Sequence, residues 1–266
     1  MRLFAMLLIA LALGPWWSAD AQGGTITLIA PGGIRAPIEQ LIPGFERQTG
    51  YHVAATFGSG LGTKAQVVRG DAFDVPIVQP PCPDVPASGN VVADSATTLA
   101  LVRVGVAVPK GAPKPDISTP AAVARTLLAA KSIAYPGPAG GAAAGVTFEA
   151  TLHKLGVYDQ LQPKITRAQG GAAAMALAAK GQVEIGVTFL SEMLDAGIDV
   201  VGPLPAEIAP PTTLVGFVST HAKDPAAAKA LLAYLSAPDA AAVYRAHGME
   251  PGGKPPARIA DICDQP

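Results

Sequence analysis

The sequence predicts an α/β protein built on parallel sheets. Short runs of apolar and β-branched residues alternate with segments whose apolar residues recur every three or four positions. Several of the strand-like runs lead directly into glycine-rich turns, and a helix-like segment follows each turn. This repeated order of strand, turn and helix is typical of parallel α/β sheets.

The composition describes a globular protein with little net charge. The chain has 266 residues, which is long enough for one large domain or two smaller ones. Half of the residues are hydrophobic, and 19 basic against 20 acidic residues leave a formal net charge of −1. A nucleic-acid-binding protein needs a basic face, and a disordered chain combines low hydrophobicity with high net charge, so both classes are excluded.

The first 21 residues have the pattern of a signal peptide. Arg2 precedes an apolar stretch over residues 3–13, and Ala19, Asp20 and Ala21 form an A-x-A cleavage motif. The apolar stretch is too short to span a bilayer comfortably, and no later segment reaches the roughly 20 apolar residues of a membrane helix. We therefore expect a soluble periplasmic protein, with a retained N-terminal anchor as the alternative.

Individual elements can be predicted in order along the chain. A strand over residues 25–30 precedes an amphipathic helix, which Pro43 is expected to kink or restart and Gly50 to end. Runs at 99–108 and 214–218 are candidate crossings between two lobes. Further strands are predicted at 51–57, 75–78, 132–135 and 185–188, and helices at 63–69, 120–130, 146–155 and 172–180 and from Ser191, Pro225 and Pro238.

Glycine-rich turns are the recurrent candidate binding feature. They lie at residues 32–33, 58–60, 140–145 and 170–171, each between a strand and a helix. At such positions the free N–H groups and positive end of the helix favour an anion, although each glycine can also serve only its turn. Arg35 and Lys64 are the nearby cations, and either can face a ligand carboxylate or solvent.

Catalytic patterns are weak. The four histidines lack metal-ligand spacing, and no pair of carboxylates stands out. Ser59 is not in a G-x-S-x-G elbow, so a hydrolase using this serine is the less favoured alternative. The sequence therefore predicts a binding protein with no catalytic residue, no metal and no cofactor.

Seven segments resemble the periplasmic molybdate-binding proteins. They are residues 45–50, 57–60, 70–75, 155–164, 181–187, 189–191 and 224–238, and together they cover most of the chain after residue 21. The resemblance implies a type II periplasmic-binding-protein fold, in which two lobes with mostly parallel sheets are joined by two crossing strands. Residues 22–103 plus 214–266 would form one lobe, and residues 104–213 the other.

The resemblance also implies a function and partners. A monomeric solute-binding protein would close over a small anion and deliver it to an inner-membrane ABC permease. Cys82 and Cys263 would fall in the same lobe, which supports a disulfide between them, since cysteine pairs oxidise in this compartment. Two free thiols are the alternative. A sensory receptor with the same fold and another membrane partner is a further alternative.

The ligand residues of the family transfer only in part. The family binds its oxyanion through hydroxyl side chains and backbone N–H groups, at positions that here hold Gly33, Ser59 or Gly60, Gly145, Gly171 and Phe189. Two hydroxyl donors are therefore missing, and every unpaired oxygen of a buried oxyanion is costly.

An organic anion suits the site better than molybdate does. The small side chains leave room for a di- or tricarboxylate of aconitate or citrate size, with molybdate or tungstate as the alternative. The predicted ligand-binding residues are Gly32, Gly33, Arg35, Ser59, Gly60, Lys64, Tyr135, Gly145, Gly171, Thr188 and Phe189.

Overall fold

Two β-sheets with flanking helices make up the protein. A computed structural model describes residues 23–252 and Cys263, so the predicted signal peptide at residues 1–21 lies outside the described residues. The described strands are β1 (Thr25–Pro31), β2 (His52–Gly58), β3 (Val75–Val78), β4 (Val91–Val102), β5 (Val104–Pro109), β6 (Ile133–Pro136), β7 (Ile165–Ala168), β8 (Ile185–Phe189), β9 (Ile198–Pro203), β10 (Thr212–Ser219) and β11 (Met249–Pro251).

The described helices lie mainly between the strands. They are α1 (Arg35–Thr49), α2 (Gly60–Arg69), α3 (Asp84–Ala87), α4 (Pro120–Ala129), α5 (Ala143–Lys154), α6 (Tyr158–Leu161), α7 (Gly171–Ala179), α8 (Pro225–Leu235) and α9 (Pro238–Ala246). Within residues 23–252, no helix combines the length and the apolar character needed to cross a membrane.

Each sheet combines parallel and antiparallel strands. The first has the order β11-β4-β10-β3-β1-β2, and the second has the order β7-β6-β8-β5-β9. In the first, β1 is parallel to β2 and β3, whereas β10 is antiparallel to β3 and β4. In the second, β6 is parallel to β7 and β8, whereas β5 is antiparallel to β8 and β9. The α/β class is as expected, but the sheets are mixed rather than mostly parallel.

The antiparallel strands flank the two places where the chain passes between sheets. At the first, β4 and β5 belong to different sheets and only Arg103 separates them, so the predicted run over residues 99–108 is divided there. At the second, residues 204–211 lead from β9 to β10. After these two passages the chain enters the second sheet through β5 and re-enters the first sheet through β10, and each of these strands is antiparallel to its neighbours.

Helix α1 illustrates how apolar spacing sets the packing. Ile38, Leu41 and Phe45 are buried on one face, in a core that also includes Leu28 of β1. The helix continues through Pro43 as a single element rather than restarting. Pro43 is exposed, so the carbonyl that loses its helical hydrogen-bond partner there is on the side of the helix that faces solvent.

The expected disulfide between Cys82 and Cys263 is present. The two residues are almost fully buried, and the Cys82 backbone N–H donates to the Cys263 carbonyl at 2.8 Å. They pack in a small apolar cluster with Val78 of β3 and Phe217 of β10. The bond therefore attaches the C-terminal end of the chain to the first sheet.

Candidate functional site

A cleft of about 920 Å³ between the two sheets is the candidate site. We call its two sides the first wall, drawn from residues 31–36, 57–60 and Gln79, and the second wall, drawn from residues 136–144, 168–172 and 189–195. These segments follow the carboxyl ends of the parallel strands in each sheet. Ligands of α/β proteins bind at these ends.

The N-terminus of α2 lies in the first wall. Ser59 caps the helix, because its Oγ accepts a hydrogen bond from the Gly62 N–H at 3.1 Å. The Leu61 N–H donates across the cleft to the Gly141 carbonyl at 3.2 Å. Gly60, the first residue of the helix, lines the cleft. The positive end of a ten-residue helix therefore faces the cleft beside a serine hydroxyl that can still donate.

Arg35 is the only lysine or arginine among the described residues that line the cleft. Its guanidinium carbon lies 5.0 Å from the centroid of the Phe57 ring, a distance typical of a cation–π contact. No carboxylate among the described residues pairs with it. The guanidinium is thus held at the first wall with its hydrogen-bond donors available to a ligand.

Gln79 lies in the first wall directly after β3. Its side chain is 3% exposed, and neither Oε1 nor Nε2 has a hydrogen-bond partner among the described residues. Oε1 lies 2.5 Å from the point where a Cβ on Gly60 would stand, so the amide is against the N-terminus of α2. An unpartnered buried amide is costly, so Gln79 is a candidate contact for a ligand in the cleft.

In the second wall, the N-terminus of α7 faces a carboxylate of the protein itself. Gly170 precedes the helix with φ of 103° and provides no side-chain cap. A Cβ on Gly171 would collide with the Glu192 carboxylate and the Thr188 hydroxyl, so a larger residue there would displace these side chains. The Thr188 hydroxyl donates to Glu192 Oε2 at 2.6 Å. The Glu192 carboxylate of the protein itself therefore occupies part of the space at the N-terminus of α7.

Glu192 is a partly buried carboxyl with an altered proton affinity. Burial raises its pKa above the ordinary range, although hydrogen bonds from the Thr188 hydroxyl and the Phe189 N–H oppose the change. Glu192 ends a short 3-10 turn, Leu190–Glu192, which replaces the longer helix predicted from Ser191. Asp195 lies nearby in the same wall and accepts from the Gly197 N–H at 2.8 Å.

Phe189 closes the cleft opposite Gly33. A Cβ on Gly33 would be 3.0 Å from the Phe189 ring carbon Cδ2, so the ring is against the glycine. The Ser191 hydroxyl donates to the Gly33 carbonyl at 2.6 Å, which joins the two walls beside the ring. Phe189 therefore contributes an apolar surface to the cleft and Gly33 contributes only its backbone. Neither residue contributes a hydroxyl.

Seven of the eleven predicted ligand residues line the cleft, and four do not. The seven are Gly32, Gly33, Arg35, Ser59, Gly60, Gly171 and Phe189. Among the other four, Thr188 is buried behind Glu192, and its hydroxyl is already bonded to that carboxylate. The Lys64 ammonium donates to the Pro81 carbonyl. Gly145 lies against the Pro136 carbonyl, where a Cβ would collide.

Tyr135 is the fourth of these residues, and it belongs to the core. It is fully buried, and its hydroxyl donates to Glu149 Oε1 at 2.5 Å. The same carboxylate pairs with Arg167 at 2.8 Å. Burial and the bond to Glu149 raise the pKa of Tyr135 well above its ordinary value. The hydroxyl therefore joins β6 to α5 instead of facing the cleft.

Gln79 and Glu192 line the cleft but are not among the residues that the sequence predicts as ligand contacts. Both follow buried strands at the cleft edge of their sheets, so the rule that identified the glycine turns also applies to them. No glycine marks the turn after β3, so the sequence has no local signal for Gln79. The residues after β8 have a helical pattern, which predicts no turn at Glu192.

The described residues provide no metal site. Among them, no group of three or more His, Cys, Asp or Glu side chains is arranged to hold a metal ion. The chemistry available in the cleft is that of amide and hydroxyl donors, one guanidinium and two carboxyls.

Comparison with known proteins identifies the family. A model of the bacterial extracellular solute-binding proteins matches residues 26–250. The chain is 32% identical over 234 residues to a Pseudomonas protein named aconitate isomerase, covering 85% of this chain and 88% of that one. It is 29% identical over 251 residues to the molybdate-binding protein ModA of Azotobacter vinelandii, covering 92% of this chain and 98% of the relative.

A solved structure agrees with this assignment. The periplasmic molybdate-binding protein of Azotobacter vinelandii superposes with a TM-score of 0.70 at 22% identity, covering 86% of this chain and all of that one. This likeness establishes the fold as that of the periplasmic binding proteins. The chain belongs to the bacterial extracellular solute-binding protein family, as a member similar to the periplasmic molybdate-binding proteins.

Proposed function

We propose that the protein binds a small organic polyanion, a di- or tricarboxylate of aconitate or citrate size, without chemically changing it. The mature protein would act as a monomer in the periplasm and deliver its ligand to an inner-membrane ABC permease. Residues 22–103 with 214–266 would move as one lobe, and residues 104–213 as the other. The ligand would contact both walls and so favour the closed arrangement.

One observation carries the proposal: the cleft is large, and Gly33 and Phe189 stand where the molybdate-binding pattern has hydroxyl side chains. Its volume of about 920 Å³ is in the range of about 300–1,000 Å³ that is usual for pockets that bind organic molecules. Gly33 and Phe189 place backbone and an aromatic ring at the two altered positions. A small tetrahedral oxyanion would therefore lack donors on those sides, and this disfavours molybdate or tungstate as the ligand.

The first wall supplies the groups that a carboxylate needs. The Arg35 guanidinium can donate two parallel hydrogen bonds to one carboxylate. The N-terminus of α2, with Ser59 at its cap, supports a second negative group. A ligand with two or more carboxylates uses both features, whereas a single small oxyanion uses only one.

The test is thermal unfolding of the purified protein with citrate, cis-aconitate, tricarballylate, succinate, molybdate, tungstate, sulfate and phosphate. A ligand at 100 times its dissociation constant should stabilise the protein by about 2.7 kcal/mol, which raises Tm by a few degrees. We expect shifts with tricarboxylates and none with molybdate or tungstate. A shift with molybdate or tungstate alone would overturn the proposal.

A second candidate function is isomerisation of an unsaturated tricarboxylate. The observation that favours it is Glu192, a partly buried carboxyl in the cleft whose pKa burial raises, as suits a group that removes and returns protons. Double-bond migration needs such a group, because a proton leaves one carbon while the double bond shifts and another carbon is protonated. The relative named aconitate isomerase makes this reaction worth testing.

The two functions differ in what happens to cis-aconitate in deuterium oxide. Binding alone leaves its proton NMR spectrum unchanged over hours with protein at micromolar concentration. Isomerisation produces the trans isomer, and exchange of the transferred proton incorporates deuterium. Glu192→Gln would then abolish the change while still binding the ligand. Product formation that persists in Glu192→Gln would exclude this residue as the proton carrier.

A further inference from the structure

Gln79 indicates which chemical groups the ligand has. This inference rests on the proposed function. Gln79 is nearly fully buried, lines the cleft, and has both amide atoms without partners among the described residues. Buried amides are almost always paired, because leaving one unpaired forfeits its hydration. A position of this kind in a binding cleft indicates that the ligand supplies the missing partners.

The surroundings of Gln79 restrict where these partners lie. Its Oε1 is beside Gly60, the first residue of α2, and the helix N-terminus favours negative charge at the same place. Ser59 and Gly60 line the cleft next to it. A group that binds here therefore meets the amide, the helix end and a serine hydroxyl together.

The amide requires two different ligand atoms. Nε2 is a donor and needs an acceptor such as a carboxylate oxygen, whereas Oε1 is an acceptor and needs a donor. A plain carboxylate satisfies only Nε2. A hydroxyl beside a carboxylate satisfies both atoms, whichever way the amide is turned.

We propose that Gln79, with Ser59 and Gly60, forms a subsite for a hydroxyl-bearing carboxylate, so that the protein selects hydroxylated polycarboxylates over analogues without the hydroxyl. The ligand hydroxyl donates to Oε1, and its carboxylate accepts from Nε2 beside the N-terminus of α2. Sites built around a hydroxyl discriminate strongly, because the analogue leaves their buried polar groups unpaired.

The experiment compares citrate with tricarballylate, which has the same three carboxylates and lacks the hydroxyl. Affinities are measured by titration calorimetry for the wild-type protein, Gln79→Leu and Gln79→Met. We expect the wild type to prefer citrate by about tenfold or more, since one unpaired buried group is worth that factor. Both variants should lose this preference, to within about twofold, through weaker binding of citrate.

The matched control is Thr63→Val. The Thr63 hydroxyl, on α2, is the other buried side-chain oxygen without a partner among the described residues, but Thr63 does not line the cleft. This variant should retain the wild-type preference. The Gln79→Leu protein without ligand should melt at or above the wild-type Tm, because a costly unpaired amide is removed. This result separates loss of binding from loss of folding, and Gln79→Met provides a second, unbranched side chain.

The possible outcomes distinguish failure of the inference about Gln79 from failure of the proposed function. Equal wild-type affinities for citrate and tricarballylate overturn the inference while leaving the proposed function intact. A citrate preference that survives in both Gln79 variants also overturns the inference. If the wild type binds neither tricarboxylate, the inference is overturned. If, in addition, no carboxylate of the thermal-unfolding panel shifts Tm, the proposed function is overturned as well.

Discussion

The two walls of the cleft differ in charge. The first wall contains Arg35, Ser59 and Gln79, which together offer one cation and several neutral donors. The second wall contains Glu192 and Asp195 and no lysine or arginine among its described residues. With both carboxyls ionised, the charged side chains of the cleft sum to −1, which opposes an anionic ligand.

This difference suggests a division of roles. The carboxylates of a ligand are best placed against the first wall, where Arg35 and the N-terminus of α2 attract them. The second wall covers the ligand with small side chains and the Phe189 ring. Its Glu192 carboxyl opposes binding when ionised and can donate a hydrogen bond when protonated. We therefore expect the first wall to supply affinity for a polyanion and the second wall to make this affinity depend on pH.

The largest expected effect concerns stability of the first sheet, which has the Cys82–Cys263 disulfide. Replacing both cysteines by alanine should lower the free energy of unfolding by about 3–5 kcal/mol, because the bond closes a long loop in the unfolded chain. Denaturant titration measures this loss. In hydrogen exchange, β4 and β10 should lose more protection than β6 and β8 of the second sheet.

Thiol reduction provides the control for this prediction. Under mild denaturing conditions, a reductant should destabilise the wild type and leave the double-alanine variant unaffected. An unfolding free energy equal in oxidised wild type and the variant would show that the bond contributes nothing to stability.

The next largest effect is expected in the first wall. Arg35→Met keeps the length of the side chain and removes the charge, so tricarboxylate affinity should fall by about 10- to 100-fold, the value of hydrogen bonds to a charged group. Calorimetric titration with citrate measures this loss of affinity. Arg125→Met is the matched control, since Arg125 is an exposed residue of α4 that does not line the cleft. Equal affinities for the two variants would contradict the role given to Arg35.

A smaller, opposite effect is expected in the second wall. The raised pKa of Glu192 means that the folded protein holds this proton more tightly than the unfolded chain does. Stability should therefore decline as pH rises from the ordinary glutamate range of about 4.3 through the raised pKa. Polyanion affinity should decline as pH rises through the raised pKa, since the carboxylate formed in the folded protein repels the ligand.

Glu192→Gln tests the pH dependence directly. It should bind citrate several-fold more tightly than wild type at neutral pH and show a flatter dependence of affinity on pH. Asp195→Asn is the comparison, because this more exposed carboxylate faces the same cleft. If Glu192→Gln binds more weakly at every pH, the carboxylate contacts a donor group of the ligand instead.

The smallest effect on binding is expected at Tyr135. Tyr135→Phe removes the hydroxyl bonded to Glu149, behind the second wall, and should cost about 1 kcal/mol of stability. Citrate affinity should stay within about twofold of wild type, since Tyr135 does not line the cleft. Thermal unfolding and calorimetry measure the two quantities. A large loss of citrate affinity without a loss of protein stability would indicate that Tyr135 contacts the ligand.

Much of the fold was predictable because it depends on local patterns. The apolar spacing in α1 and the glycine that ends this helix, Gly50, lie within a few neighbouring residues. The glycine turns identified the cleft edge for the same reason. Whether a nearby polar side chain enters the cleft was less predictable, because competing partners come from distant parts of the chain. Tyr135 and Lys64 were predicted ligand contacts, yet Glu149 and the Pro81 carbonyl accept their hydrogen bonds.

The sequence by itself determined the α/β class, the order of most elements, the family and the glycine-lined turns, since these follow from periodicity, chain-local sterics and motif order. Only the tertiary structure decided that the sheets are mixed, that the Gln79 amide beside Gly60 lacks a partner among the described residues, and that Glu192 faces the N-terminus of α7. These features arise where segments far apart in sequence meet. There, burial and the available partners decide whether a polar group is satisfied, left for a ligand, or made to hold its proton.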